Sequence, residues 1–159
     1  MDFEETYAAC FHRVYRFALS MTRSAHEAEE IAQETFFRAI ERFESLPPDA
    51  AVEAWLFRIA RNVYISRLRK RGREVRQESL DETASEEDVE DRLMKSDQAA
   101  GILRALHNLE EPYKEVFTLR ALGDVPYRQI AALFGKGESW ARVVYYRAKM
   151  MLVKITEKE

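Results

Sequence analysis

The sequence predicts an all-α chain: two small helical domains joined by an acidic flexible linker, the C-terminal one holding a helix-turn-helix. Three observations predict it. Apolar residues recur at the three-and-four spacing of helix faces through most of the chain. Between Glu74 and Asp97 that pattern gives way to a polar, acidic run poor in core residues. Near the C-terminus a glycine-containing turn, Gly135-Lys136-Gly137, separates two amphipathic segments. The expected units are residues 1–73, a linker over 74–97, and residues 98–159.

The first helix is expected from Asp2 to about Thr22, with Phe3, Tyr7, Cys10, Phe11, Val14, Phe17 and Ala18 on one face. A second starts at Ser24, where Ser24-Ala25-His26-Glu27 matches the capping box, and carries Ile31, Thr35, Phe36 and Ile40 to about Phe43. Its other face displays Glu27, Glu29, Glu30, Gln33, Glu34 and Arg38, either a wet surface or a docking face. Pro47-Pro48 breaks the pattern, because proline lacks an amide donor and restricts its predecessor. The loop from Glu44 to Ala51 is short, so the next helix turns back on its predecessor.

That third helix, Glu53 to Arg73, carries most of the interest. Leu56, Ile59, Ala60 and Val63 form an apolar stripe, with Arg58, Arg61, Asn62 and Ile65 on a neighbouring strip. Beyond Ser66 come Arg67, Arg69, Lys70, Arg71 and Arg73, a density that suits a polyanion or a solvated helix end. The formal net charge of -3 therefore hides two opposed blocks. From Arg58 to Arg76 only Glu74 opposes the bases, and from Gln77 to Asp97 only Arg92 and Lys95 interrupt the acids.

In the second unit Ala99, Ala100, Leu103, Leu106 and Leu109 line a first helix. After Glu110-Glu111-Pro112 a helix from Tyr113 to about Leu122 should bury Val116, Phe117 and Ala121, and Gly123-Asp124 ends it, with Asp124 placed to cap its successor. That successor runs from Pro126 to Phe134, and a long helix starts at about Glu138. Ala141, Tyr145, Ala148 and Leu152 give its buried face. Ser139, Arg142, Val143, Tyr146 and Lys149 lie opposite, with Arg147 at the edge. A helix-turn-helix lays such a helix in the major groove with its N-terminal residues on base edges, and Arg142 suits guanine. Arg128, Lys136 and Arg147 suit phosphates, which position without specifying.

Several chemistries find no residues to carry them. His12, His26 and His107 fall on different helices, with no cysteine or second histidine at ligand spacing, so neither metal nor other cofactor is expected. There is no glycine-rich phosphate loop and no nucleophile with an evident base, so neither enzymatic activity nor a small-molecule substrate is expected. No apolar run approaches a membrane span, the acidic start lacks a secretory n-region, and Cys10 is the lone cysteine, which places the expected chain in the cytoplasm.

Three motifs in order carry a resemblance. Ala28-Glu29-Glu30-Ile31-Ala32-Gln33-Glu34-Thr35-Phe36, Ala54-Trp55-Leu56-Phe57-Arg58-Ile59-Ala60-Arg61-Asn62, and Tyr127-Arg128-Gln129-Ile130-Ala131 with Tyr146-Arg147-Ala148-Lys149 resemble an extracytoplasmic-function (ECF) sigma factor. The resemblance covers nearly the whole chain and implies a bacterial RNA polymerase specificity subunit. By it, Glu29, Glu30, Gln33, Glu34 and Phe37 would dock on the clamp helices of the core polymerase beta-prime subunit, and the C-terminal unit would meet the beta flap. The loop residues Pro47, Pro48 and Asp49, with Trp55, Arg58, Arg61, Asn62, Arg67, Arg69 and Lys70, would bind promoter DNA at the minus-10 element. Arg128, Lys136, Ser139, Trp140, Arg142, Val143, Tyr146, Arg147 and Lys149 would bind the minus-35 element. Trp55 suits stacking on an extruded base or packing under the loop, and Phe57 and Tyr64 are open in the same way. The linker, about two dozen residues, could span on the order of 80 Å and would thread toward the RNA exit path. An anti-sigma partner, in this family often membrane-anchored, is implied too.

Two features depart from the family pattern: Ser66 stands where aspartate is usual, and Trp140-Ala141-Arg142-Val143-Val144 replaces a Thr-Val-Lys-Ser-Arg type of sequence. The rival reading is a stand-alone helix-turn-helix transcription regulator, dimeric and independent of polymerase. A helical adaptor would explain the acidic faces but not the arginine cluster.

Overall fold

Asp2 caps α1 (Phe3–Thr22): its side chain accepts from the Glu5 N–H while the Glu5 carboxylate accepts from the Asp2 N–H. The helix ends on Arg23, which takes the left-handed conformation. One residue on, Ser24 caps α2 (Ala25–Arg42) by accepting from the Glu27 N–H. A short 3₁₀ turn over Phe43–Ser45 follows, and α3 (Val52–Asp81) runs back along both helices. The computed structural model describes residues 2–47, 51–81 and 98–157, with side chains described up to Arg73 and again from Ala100. Helix α3 thus extends eight residues beyond the expected start of the linker at Glu74. The rest of the expected linker, 82–97, lies outside the described residues.

The C-terminal half comprises α4 (Gln98–His107), α5 (Tyr113–Phe117) continued by a π turn (Thr118–Leu122), α6 (Tyr127–Leu133) and α7 (Glu138–Glu157). The π turn changes what the segment buries. An α-helical spacing puts Ala121 on the face of Val116 and Phe117, but the wider turn rotates Ala121 into solvent, and Thr118 and Leu119 are buried instead. Asp124 does not cap α6 either. It adopts φ 51°, its N–H bonds the Arg120 carbonyl, and α6 begins at Pro126 without a side-chain cap.

In α2 the buried face is Ala28, Ile31, Ala32, Thr35, Phe36 and Ala39, so Ile40, expected inside, is 54% exposed beside Phe37. Phe57 and Phe17 stack at 4.7 Å in the centre of the core. That core does not stop at the first unit. Val116, Leu119, Val125 and Ile130 of the second half join Val14, Phe17, Leu56 and Phe57 in one continuous cluster. A smaller cluster joins Ala105, Leu106 and Leu109 to Ala148 and Leu152. Gly123 permits the close approach: a Cβ there would lie 2.9 Å from the Phe57 ring and 2.8 Å from the Leu119 carbonyl oxygen.

Candidate nucleic-acid and polymerase interface

The packing of the two halves decides where the basic residues of α3 stand. Arg58 donates from Nε to Glu115 Oε1 at 2.6 Å and from Nη2 to Oε2 at 3.3 Å. Its Nη1 donates to the Leu133 carbonyl at 3.1 Å, and its guanidinium lies 4.9 Å from the centre of the Phe134 ring. Arg61 pairs with Glu111 and, at 3.7 Å, with Glu115, while donating to Asn62 Oδ1. Only 8% of its side chain is exposed. Both arginines were expected on a DNA-facing strip. In this arrangement acids of the second half occupy them, because that half covers the strip which the sequence left open. Buried charge must be paired, and Glu111 and Glu115, four residues apart on either side of Lys114, supply the pairing.

Further along α3 the bases meet α2. Arg67 donates to Glu30 at 2.7 Å and lies 3.7 Å from Glu34, and Arg71 pairs with Glu27. The Arg67 hydrogen bond, the largest influence on Glu30, holds its carboxyl below the usual glutamate value. Glu30 and Glu34 are therefore shared between the expected docking face and an inter-helix ladder. Glu29, Gln33 and Phe37 stay outward, with Phe37 71% exposed. Asn62, Arg69 and Lys70 are exposed, as is Pro47. Pro48 and Asp49 lie outside the described residues. Trp55 is half-buried against the core, Phe57 is fully inside it, and Tyr64 is buried enough that its hydroxyl is pushed above the usual tyrosine value.

In the second half α6 and α7 meet across Phe134–Gly137, where Gly135 takes φ +65°, a conformation glycine adopts without strain. Ala141, Ala148 and Leu152 are buried as the spacing requires, and Val144, which the spacing missed, is buried with them. Opposite, Ser139, Arg142, Val143, Tyr146, Arg147 and Lys149 are exposed, with Arg128 and Lys136 exposed on α6 and the turn. Trp140 differs from its neighbours. It lies half-buried with its ring 5.1 Å from Phe134, packed under the turn because a ring of that size next to Gly137 finds an apolar wall there. Arg142 is held ready on the surface, donating to Glu138 at 2.6 Å with its guanidinium 5.1 Å from the centre of the Tyr127 ring.

Residues 6–74 match the family model for sigma-70 region 2, and residues 100–152 match that for sigma-70 region 4. The ECF RNA polymerase sigma factor SigM of Bacillus subtilis is 31% identical over 153 residues, which cover 96% of this chain and 93% of SigM. The chain belongs to the ECF sigma factors. The ECF sigma factor SigE of Mycolicibacterium smegmatis is 30% identical over 145 residues, covering 88% of this ECF factor and 56% of that longer protein. Among solved structures, the sigma factor RpoE in complex with the anti-sigma factor NepR, from Bartonella quintana, resembles it with a TM-score of 0.61 and 25% identity, covering 98% of this chain and 97% of RpoE. The interdomain acids Glu111 and Glu115 are the functional residues of this ECF factor that sequence reasoning missed. Their only signal was a four-residue spacing flanking a proline-started helix.

Proposed function

We propose that this chain, an ECF sigma factor, directs transcription initiation by binding core RNA polymerase and reading a promoter at two separated elements. The observation that carries the reading is the exposed polar face of α7 with Arg142 at its N-terminal end, set in a chain that matches both sigma regions. Arg142 takes the base-reading role at minus-35, with Arg128, Lys136, Arg147 and Lys149 on phosphates. Trp140 supports that face from beneath.

At minus-10, Asn62, Arg69 and Lys70 are the free first contacts, and Arg58, Arg61 and Arg67 join them once their carboxylate partners withdraw. Glu29, Gln33 and Phe37, with Ile40 beside them, form the surface for the polymerase clamp. Polymerase binding, in this reading, separates the halves and exchanges Glu111 and Glu115 for DNA on Arg58 and Arg61. An anti-sigma factor, as held by RpoE in its complex, is the natural antagonist. The protein acts in the cytoplasm, among the described residues no helix is long and apolar enough to cross a membrane, and the work is recognition rather than catalysis.

In vitro transcription with purified core polymerase tests the reading. Promoter-dependent initiation that requires both core enzyme and this chain is expected. A chain that binds palindromic duplex as a dimer, with no initiation, would instead be a stand-alone regulator.

A further inference from the structure

Between the two halves lies a cleft of about 460 Å³ that the DNA-reading faces do not account for. On its α3 side Asn62, Ser66 and Arg69 follow at spacings of four and three, one strip of the helix. Lys114 of α5 lines it from the second half. Arg61 lines it too, and its Nε is the one buried side-chain atom without a hydrogen-bond partner among the described residues. The carboxylates of the cleft, Glu111 and Glu115, are already taken by Arg58 and Arg61.

Arg69 and Lys114 are left without an ion pair among the described residues. Burial, and then the Arg61 guanidinium with a smaller contribution from Arg69 against the opposing pull of Glu111, hold the Lys114 ammonium below the usual lysine value. Burial, Lys114 and Arg69 likewise hold His107 low. Cations gathered at a partly desolvated seam repel one another, and an anion among them relieves the repulsion.

We propose that this interdomain cleft binds a small phosphate-bearing molecule of nucleotide size, with Arg69 and Lys114 on its phosphates and Asn62 and Ser66 as neutral donors. A guanidinium fork and a mobile ammonium together suit phosphate oxygens. The volume falls in the range of small-ligand sites, and Ile65 and Leu109 give the uncharged part of the molecule an apolar wall. Such a ligand bridges α3 and α5 and holds the halves together. Its effect on initiation rests on the proposed promoter role, whereas the binding itself does not.

Isothermal titration of the full chain with inorganic pyrophosphate, and separately with ADP, tests the site in chloride buffer. Saturable one-to-one binding is expected, weakened about tenfold or more by Arg69→Gln and by Lys114→Gln, each of which removes a charge-assisted contact. Lys70→Gln, on the same helix but outside the cleft, leaves binding unchanged. Thermal unfolding without ligand checks that each variant folds. If Lys114→Gln melts early, Lys114→Arg keeps the charge and must keep the binding; its loss there overturns the site. No saturable heat at millimolar probe overturns it, as does equal weakening by Lys70→Gln. Binding of a short DNA duplex that needs Arg69 and Lys114, with none of pyrophosphate, assigns the cations to nucleic acid and overturns it too. Initiation measured without added ligand reports on the promoter role separately.

Discussion

Arg58 and Glu115, 57 residues apart in the chain, are joined by two hydrogen bonds across the seam between the two halves. The carboxylate is nearly inaccessible, with 6% of its side chain exposed, and the guanidinium is a third exposed. Removing the acid leaves Arg58 and Arg61 short of a counter-charge, and separation of the halves returns both to water. Glu115→Gln should therefore weaken the packed arrangement by about 1–3 kcal/mol, allowing for the partial exposure of Arg58. Small-angle scattering should show a larger radius of gyration, and the free variant should bind promoter DNA more tightly than wild type. An unchanged radius would mean that apolar packing alone holds the halves.

Gly123 tests that apolar contribution separately. Its place beside the stacked Phe17 and Phe57 rings leaves no room for a methyl group. Gly123→Ala should destabilise the chain by about 1–3 kcal/mol, as overpacking does in a filled core. Denaturant unfolding followed by tryptophan fluorescence reads the loss.

Phe37 is the least protected large apolar side chain of α2, with Ile40 three residues away. Phe37→Ser should leave the melting temperature within a degree or two while sharply reducing capture of the chain by core polymerase. A variant that binds core as well as wild type would move the docking face elsewhere.

Arg142 is tied to Glu138 and lies over Tyr127 before any DNA arrives. Arg142→Ala should cost about 1–3 kcal/mol of minus-35 binding and relax preference at one base pair, measured by competition with base-substituted duplexes. Lys149→Ala should weaken all duplexes alike and lower the salt dependence.

The Glu30 carboxyl is held low by its hydrogen bond from Arg67. A lowered acid contributes stability above its unfolded value, and that contribution is lost as pH falls through the folded value. Unfolding midpoints should therefore drop more steeply below the usual glutamate range in wild type than in Glu30→Gln. Because the group is exposed, the difference should shrink in high salt.

Local chemistry was the legible part of this chain. The caps at Asp2 and Ser24, the glycine turn at Gly135, and the buried spacing of Ala141, Ala148 and Leu152 each follow from residues within one or two helical turns. What the sequence did not disclose depends on contacts between distant segments. Arg61 sits on a strip that is polar by any periodicity, and only Glu111 and Glu115 make its burial tolerable. Ile40 reads as core until Ala39 is seen to occupy the inward position beside it. Ala121 fails for a local reason, because propensity carries no sign that the helix will widen over Thr118–Leu122.

That widened turn also acts as a phase setter. An α-helix advances about 100° per residue, so deleting one residue between Thr118 and Leu122 would restore an ordinary turn and swing everything beyond it by roughly that angle. Helix α7 would then face a different azimuth while α1 and α3 stayed in place. The angular offset between the two reading heads of this protein is thus written in the length of one five-residue turn, and a single-codon deletion there would misalign them without touching a DNA contact.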